Sequence, residues 1–266
     1  MLRSSSPRKK RKTLAQQADK HALYEQAVQQ PVLVVEFIER MYEQMTGDSP
    51  VSLREDFCGT ANLAALWVRS DEARRATAVD NDAKVLRYAQ RYTRKPMGER
   101  AGRLKLKCDD VMHCHAKADI IAALNFSWCI YHERAQLVRY LRHVARCLKP
   151  GGLLLLDQYG GPGAMQTGTE IRRFGDFTYE WEQADFDPLT HHVTNHIHFR
   201  FPDRSILKRA FTYHWRLWTI PELIDCLDET GYTDVAVTYE DESGQIHEHD
   251  MHDAEAWVAY IVARHK

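Results

Sequence analysis

The sequence has 266 residues, 44% of them hydrophobic and 27% charged, with 36 lysines and arginines against 37 aspartates and glutamates. Such a chain can bury the core of one large domain, or of a domain with a cap, and it reads as soluble and globular. No apolar run approaches the roughly 18 residues of a membrane span, and no apolar segment follows the basic N-terminus as a secretion signal requires, so the expected location is cytoplasmic, with no membrane partner.

In chain order, residues 1–12, "MLRSSSPRKKRK", carry six basic residues and no acid; setting them aside leaves 30 basic against 37 acidic residues, a body near −7. The run is expected to be a disordered basic tail, and the acidic body argues against a broad nucleic-acid footprint. Residues 13–50 read as cap helices, one from Thr13 to Gln30 and a second opened by Pro31, with Val34, Phe37, Ile38, Met41 and Met45 on its apolar face. Strand and helix then alternate: strands near 51–56, 76–80, 104–108, 118–124 and 152–158, helices at 61–69, 82–94 and 132–147. That order predicts a doubly wound, mostly parallel α/β sheet.

Residues 175–218 change character. Period-two segments separated by "DPLT" and "PDRS" predict three antiparallel strands, part of an insertion over 163–218. A helix, "TIPELIDCLDETG", and two further strands then complete the main sheet. The six cysteines, Cys58, Cys108, Cys114, Cys129, Cys147 and Cys226, form no CxxC pair and read as reduced.

"LREDFCGTANLAALW", residues 53–67, ends a strand on acids, turns on Cys58-Gly59-Thr60 and enters a helix. In a parallel sheet, that first turn approaches the ligand most closely. Glu55 places a carboxylate there, Gly59 permits close backbone approach, and Asp80, at the end of the second strand, lies where a ribose-binding acid is expected. Asp109 and Asp110, ending the third strand, can accept from an exocyclic amine. Together these residues point to an adenosine.

Taken with "AVDND", "CDDV", "ADIIAALNFS" and "LKPGGLLLLD" in that order, the "EDFCGTA" turn resembles the class I S-adenosylmethionine-dependent methyltransferases over residues 51–160. The resemblance implies a Rossmann-like seven-stranded sheet over 51–266, S-adenosyl-L-methionine as cofactor and S-adenosyl-L-homocysteine as product. The implied cofactor residues are Glu55, Phe57, Cys58, Gly59, Thr60, Asp80, Asn81, Asp109, Asp110, Val111 and Asn125. Phe57 and Ala61 stand where the family carries glycine. A nicotinamide-binding fold needs G-x-G-x-x-G, which "EDFCGTANLA" lacks.

Methyl transfer from a sulfonium needs positioning and water exclusion more than acid catalysis, because the leaving group is neutral. The acceptor is expected near "NFSWCIYHER", with Tyr131 and His132 as catalytic candidates; His132 can take a proton or simply cap the next helix. Trp128, Tyr159, Tyr213, Arg216 and, from the cap, Tyr24 are the substrate-side candidates, against an ordinary packing role for each aromatic. "HCH", "HIH" and "HEHDMH" lack partners at structural-zinc spacing, so no metal is expected. The expected activity is transfer to an N or O atom of a small-molecule acceptor by a monomer or homodimer. The alternatives are an RNA or protein methyltransferase guided by the tail and a non-catalytic cofactor-binding protein.

Overall fold

The computed structural model describes residues 11–240, 246–247 and 255–265; the tail up to residue 10 and residues 248–252 of the histidine run lie outside them. Helices α1 (Leu14–Gln17), α2 (Lys20–Ala27) and α3 (Pro31–Thr46) come first. The single helix expected from Thr13 to Gln30 is two, because Thr13 and Asp19 each turn a side chain onto backbone N–H groups and start a helix of their own. Pro31 opens α3, and Gly47, at φ +76°, ends it in the left-handed conformation that glycine takes without strain.

The alternating region gives β1 (Ser52–Asp56), α4 (Asn62–Ser70), β2 (Arg75–Asp80), α5 (Ala83–Tyr88), β3 (Leu104–Cys108), β4 (Ala118–Ala123), α6 (Arg134–Cys147) and β5 (Leu148–Gly160). The insertion follows as β6 (Gly168–Arg173), β7 (Thr178–Phe186), β8 (His192–Arg200) and β9 (Ile206–Arg216). The chain then closes with α7 (Ile220–Glu229), β10 (Tyr232–Glu240), β11 (Ile246–His247) and β12 (Trp257–His265).

The main sheet runs β11-β10-β12-β5-β4-β1-β2-β3. The pairs among β1 to β5 are parallel and β12 is antiparallel to both its neighbours, so the seven expected strands are present with the two-residue β11 as an eighth at the edge. The strand order turns back between β1 and β4, which puts the carboxyl ends of those strands at the crevice where such sheets hold ligands.

Cores lie on both faces. Phe37, Ile38 and Met41 of α3 pack with Trp67 of α4 and with Ile120, Leu153 and Val262 of the sheet, so α3 is a covering layer of the sheet rather than part of a lid. Burying each such side chain contributes about 1.5–3 kcal/mol, which fixes α3 firmly. On the other face, α6 and α7 bury Leu137, Tyr140, Leu141, Leu223 and Leu227.

The insertion is four-stranded, order β6-β7-β8-β9, one strand more than expected. β6 is exposed along its whole length, so it lacks the apolar alternation by which a half-buried strand shows itself in sequence. α2 packs on this second sheet through Ala27, Leu23 and Tyr24, against Phe177, Ile197 and Phe199. α1 is pinned to the same unit, its Leu14 and Ala15 N–H groups donating to Asp203 and Ser205 at 2.8 and 3.0 Å.

Candidate functional site

β1 carries Arg54, Glu55 and Asp56 buried, an unusual load for a central strand. The Glu55 carboxylate accepts from the Ala64 N–H at 3.0 Å, supplying from the strand the cap that Ala61 cannot provide at the start of α4. Burial, with Asp80 and Asp56 nearby, pushes its pKa up to about 8.

The turn after β1 holds Phe57 at φ +56°, Gly59 at φ +53° and Ala61 at φ +56°. Two of these three are not glycine yet adopt a glycine conformation, at about 1–2 kcal/mol per residue. The Gly59 N–H donates to Asp80 Oδ2 at 2.8 Å and the Asp82 N–H to Oδ1 at 2.8 Å, so one carboxylate fixes both turns that flank the crevice. A Cβ built on Gly59 would meet no atom within 4 Å, and the buried Thr60 hydroxyl has no hydrogen-bond partner at bonding distance.

The third-strand acids divide. Asp109 is held by Lys107 at 2.9 Å and His113 at 3.4 Å, with the Lys107 contact drawing its pKa below the usual carboxylate range. Its N–H donates to the Asp80 carbonyl at 3.1 Å. Asp110 instead accepts from the Met112 N–H at 2.8 Å and starts the short turn that buries Val111. Asn81 is exposed beside Asp80.

A network that the sequence reading did not find anchors this loop. Arg54, fully buried, donates to both oxygens of Asp56 at 2.6 and 2.9 Å and to the carbonyls of Cys114 and Val111 at 2.6 and 2.9 Å. The Tyr140 hydroxyl adds a bond to Asp56 at 3.1 Å. Two of these bonds pair Arg54 with Asp56 within β1, and the other two join β1 to the loop after β3. His115, His143 and Cys147 bring their ligand atoms within 4.8 Å of one another beside this cation, whose charge opposes a metal ion there.

On the acceptor side, Asp157 near the end of β5 is buried, and its two oxygens accept from the Asn125 and Phe126 N–H groups at 2.6 and 2.8 Å. These bonds hold Asn125 and Phe126 at φ +56° and +57°. Burial pushes the Asp157 pKa up to about 7. Phe126 packs on Tyr159 and Trp215 with ring centroids 4.8 and 6.0 Å apart. Tyr213 stacks on Trp215 at 4.4 Å, Trp181 lies 6.0 Å from both, and Phe211 continues the row to Tyr24 at 5.0 Å. Burial, with the Tyr213 hydroxyl and the Asp157 charge nearby, pushes the Tyr24 pKa up.

α2 also bears on the cofactor side: Glu25 approaches Thr60 and accepts from the Tyr88 hydroxyl at 3.5 Å, while the Asn62 amide donates to Gln29, just past the helix, at 3.3 Å.

Other candidates stand elsewhere. Trp128 is fully buried, its indole N–H donating to the Asp157 carbonyl at 2.7 Å, so it supports the end of β5 from within the core. Tyr131 packs between Phe57 and Tyr140, at 6.3 and 5.0 Å. His132 bonds the His214 carbonyl at 2.9 Å and lies 4.4 Å from the His192 ring; the cap of α6 is Glu133. Arg216 is on the opposite face of β9 from Tyr213, paired with Glu222 at 2.7 Å and lying over Trp218 at 3.8 Å. Strand parity separates the two, so the acceptor-facing row lacks the arginine. Consequently His132→Ala should change kcat/KM by less than about threefold, or under 1 kcal/mol of barrier; a steady-state assay that finds a loss of orders of magnitude would restore His132 to the chemistry.

Glu55 and Asp157 have a second consequence. Their folded-state pKa values lie above the ordinary carboxylate values, so between about pH 4.5 and 7 the folded state holds more protons than the unfolded one and stability falls as pH rises. In the ligand-free protein, each group should contribute a slope of up to about 1.4 kcal/mol per pH unit. Denaturant titrations at pH 5 and 8 should show that decline, and Asp157→Asn should reduce it.

Asp80 has carboxylate lone pairs left over for a vicinal diol, Gly59 opens onto free space, and Thr60 offers an unpartnered hydroxyl; these residues fit an adenosyl sulfonium. The family model described as a methyltransferase domain matches residues 57–152. No curated protein matches the sequence.

Solved structures do match. An S-adenosylmethionine-dependent methyltransferase from Clostridium acetobutylicum superposes with a TM-score of 0.67 at 18% identity, covering 90% of this chain and 96% of its own. An amino pentose methyltransferase from Micromonospora echinaspora, solved with bound cofactor, gives 0.67 at 13%, covering 92% and 95%. A sugar N-methyltransferase from Streptoalloteichus sp. gives 0.65 at 15%, covering 100% and 99%. The Micromonospora enzyme holds S-adenosylmethionine. Residues 57–152 thus match a methyltransferase-domain model, and the fold around them is that of S-adenosylmethionine-dependent methyltransferases.

Proposed function

We propose that the protein transfers the methyl group to an N or O atom of a small-molecule acceptor bound between the insertion sheet and the carboxyl ends of β4 and β5. The observation that carries this reading is the aromatic enclosure of Phe126, Tyr159, Trp181, Tyr213 and Trp215, roofed by Tyr24 of α2. Its walls belong to several elements that close on one another, which suits a small ligand and leaves no open groove of the kind a polymer needs. Similar structures include enzymes named for amino pentose and sugar substrates, in keeping with such an enclosure.

The cofactor supplies an electrophilic methyl carbon on sulfur. Asp80 would hold the ribose, Asp109 and the Val111 turn would border the adenine, and Phe57, Gly59 and Thr60 would line the methionine end. Transfer of that methyl group to the acceptor's lone pair would leave the sulfur neutral. No side chain has to protonate the leaving group, so Phe126, Tyr159 and Tyr24 serve by aligning the acceptor and excluding water.

The test is a screen of small amines, alcohols, phenols and carboxylic acids with S-adenosylmethionine, read as S-adenosylhomocysteine release and product mass, beside RNA and protein acceptors. Turnover confined to the macromolecules would reject the reading.

A further inference from the structure

The insertion places one polar residue in the row of aromatics. Asn195 of β8 stands between Val193 and Ile197 on the inner face, opposite Gln183 and Tyr213 on the neighbouring strands, and it is fully buried. Its Nδ2 donates to the Tyr159 hydroxyl at 3.2 Å, which leaves the amide oxygen as the free end. That Oδ1 is buried with no hydrogen-bond partner, a defect that costs about 1–3 kcal/mol unless a ligand donor meets it. Gln183, its polar neighbour, is already satisfied by the carbonyls of Ala164 and Gln166 at 2.7 and 2.8 Å.

The aromatic rings beside Asn195 have the same electrostatic sense, and Lys20 of α2 already lies over the Phe211 end of the row, 4.5 Å from that ring. The faces of Phe126, Tyr159, Trp181, Tyr213 and Trp215 carry negative quadrupoles, which attract a cation. The nearby cation anticipated in sequence, Arg216, is on the far face of the sheet and neutralised by Glu222.

From this, and resting on the methyltransferase reading above, we infer that the acceptor is a cationic amine, recognised as its ammonium form by the Asn195 carbonyl oxygen and the surrounding aromatic faces. A hydroxyl can give Oδ1 one hydrogen bond but no charge, and a carboxylate gives neither. For transfer, the ammonium releases one proton to solvent. The neutral nitrogen then attacks, and the product leaves as a methylated amine.

Three compounds of one shape separate the possibilities: cyclohexylammonium, cyclohexanol and cyclohexanecarboxylate, titrated at pH 7 into the full chain saturated with S-adenosylhomocysteine and read by tryptophan fluorescence and calorimetry. The expected result is ammonium binding at least tenfold tighter than the alcohol, with the carboxylate weakest. Asn195→Asp should tighten the ammonium several-fold, and Asn195→Leu should weaken it about tenfold while S-adenosylhomocysteine affinity stays the same.

Equal or tighter binding of the alcohol overturns the inference. Tighter binding of the carboxylate also overturns it and reverses the amide, with its NH2 facing inward and Tyr159 donating to its oxygen. Absence of ammonium binding in protein that does bind S-adenosylhomocysteine overturns it too. Failure to bind S-adenosylhomocysteine itself would instead remove the underlying functional reading.

Discussion

Asp80→Ala should weaken S-adenosylhomocysteine binding by at least about 100-fold, or some 2.7 kcal/mol. One carboxylate holds the Gly59 and Asp82 N–H groups, and its remaining lone pairs face the position of a ribose diol. Truncation removes the ligand contacts and also releases the turn that shapes the cofactor site. Isothermal titration of both proteins measures the loss, and thermal melting confirms that the variant is folded. Asp80→Asn keeps the shape and one acceptor oxygen but loses the charge and half the acceptor capacity, so it should lie between. If Asp80→Ala bound as tightly as the parent protein, the crevice between β1 and β2 would not be the nucleoside site.

The second large effect concerns stability. Arg54→Met should destabilise the fold by about 3–5 kcal/mol, because it strands the buried Asp56 carboxylate and frees the carbonyls of Val111 and Cys114. Denaturant unfolding monitored by tryptophan fluorescence would report it. The double variant Arg54→Met/Asp56→Leu should recover much of the loss, since two apolar groups leave no unpaired charge. It should not recover cofactor affinity fully, because the loop at Val111 would still lack its anchor. A single-variant loss below about 1 kcal/mol would show that solvent reaches this pair and that the network is not what fixes the loop.

The sheet was legible because alternating apolar strands and helices leave a periodic trace, and because Glu55, Asp80 and Asp109 sit at strand ends, where ligand residues belong. Asp157 followed the same rule at the end of "LLLLDQ" and could have been read from it. Asn195 carried a subtler signal: it interrupts the apolar parity set by Val193 and Ile197. The Arg54–Asp56 pair is two residues apart in one strand, but the two carbonyls that complete the network lie some 60 residues away and left no trace. Arg216 lies on the face of β9 opposite Tyr213, as strand alternation dictates, and pairs there with Glu222. The turn at Phe57 shows that a missing glycine need not mean a missing conformation: Phe57 adopts the glycine-like backbone itself, at a cost in strain.

The eight residues of α2 touch both halves of the reaction. Glu25 approaches the Thr60 turn on the cofactor side, and Tyr24 reaches the Tyr213 hydroxyl on the acceptor side. The two ligands therefore share one door. On the proposed function, α2 would have to move to release a methylated product, and the same movement would uncover the spent cofactor. Turnover in such an arrangement is paced by a single opening per cycle, and the kinetics should be sequential through a ternary complex. Solvent viscosity should then slow kcat, with no isotope effect from a deuterated methyl group.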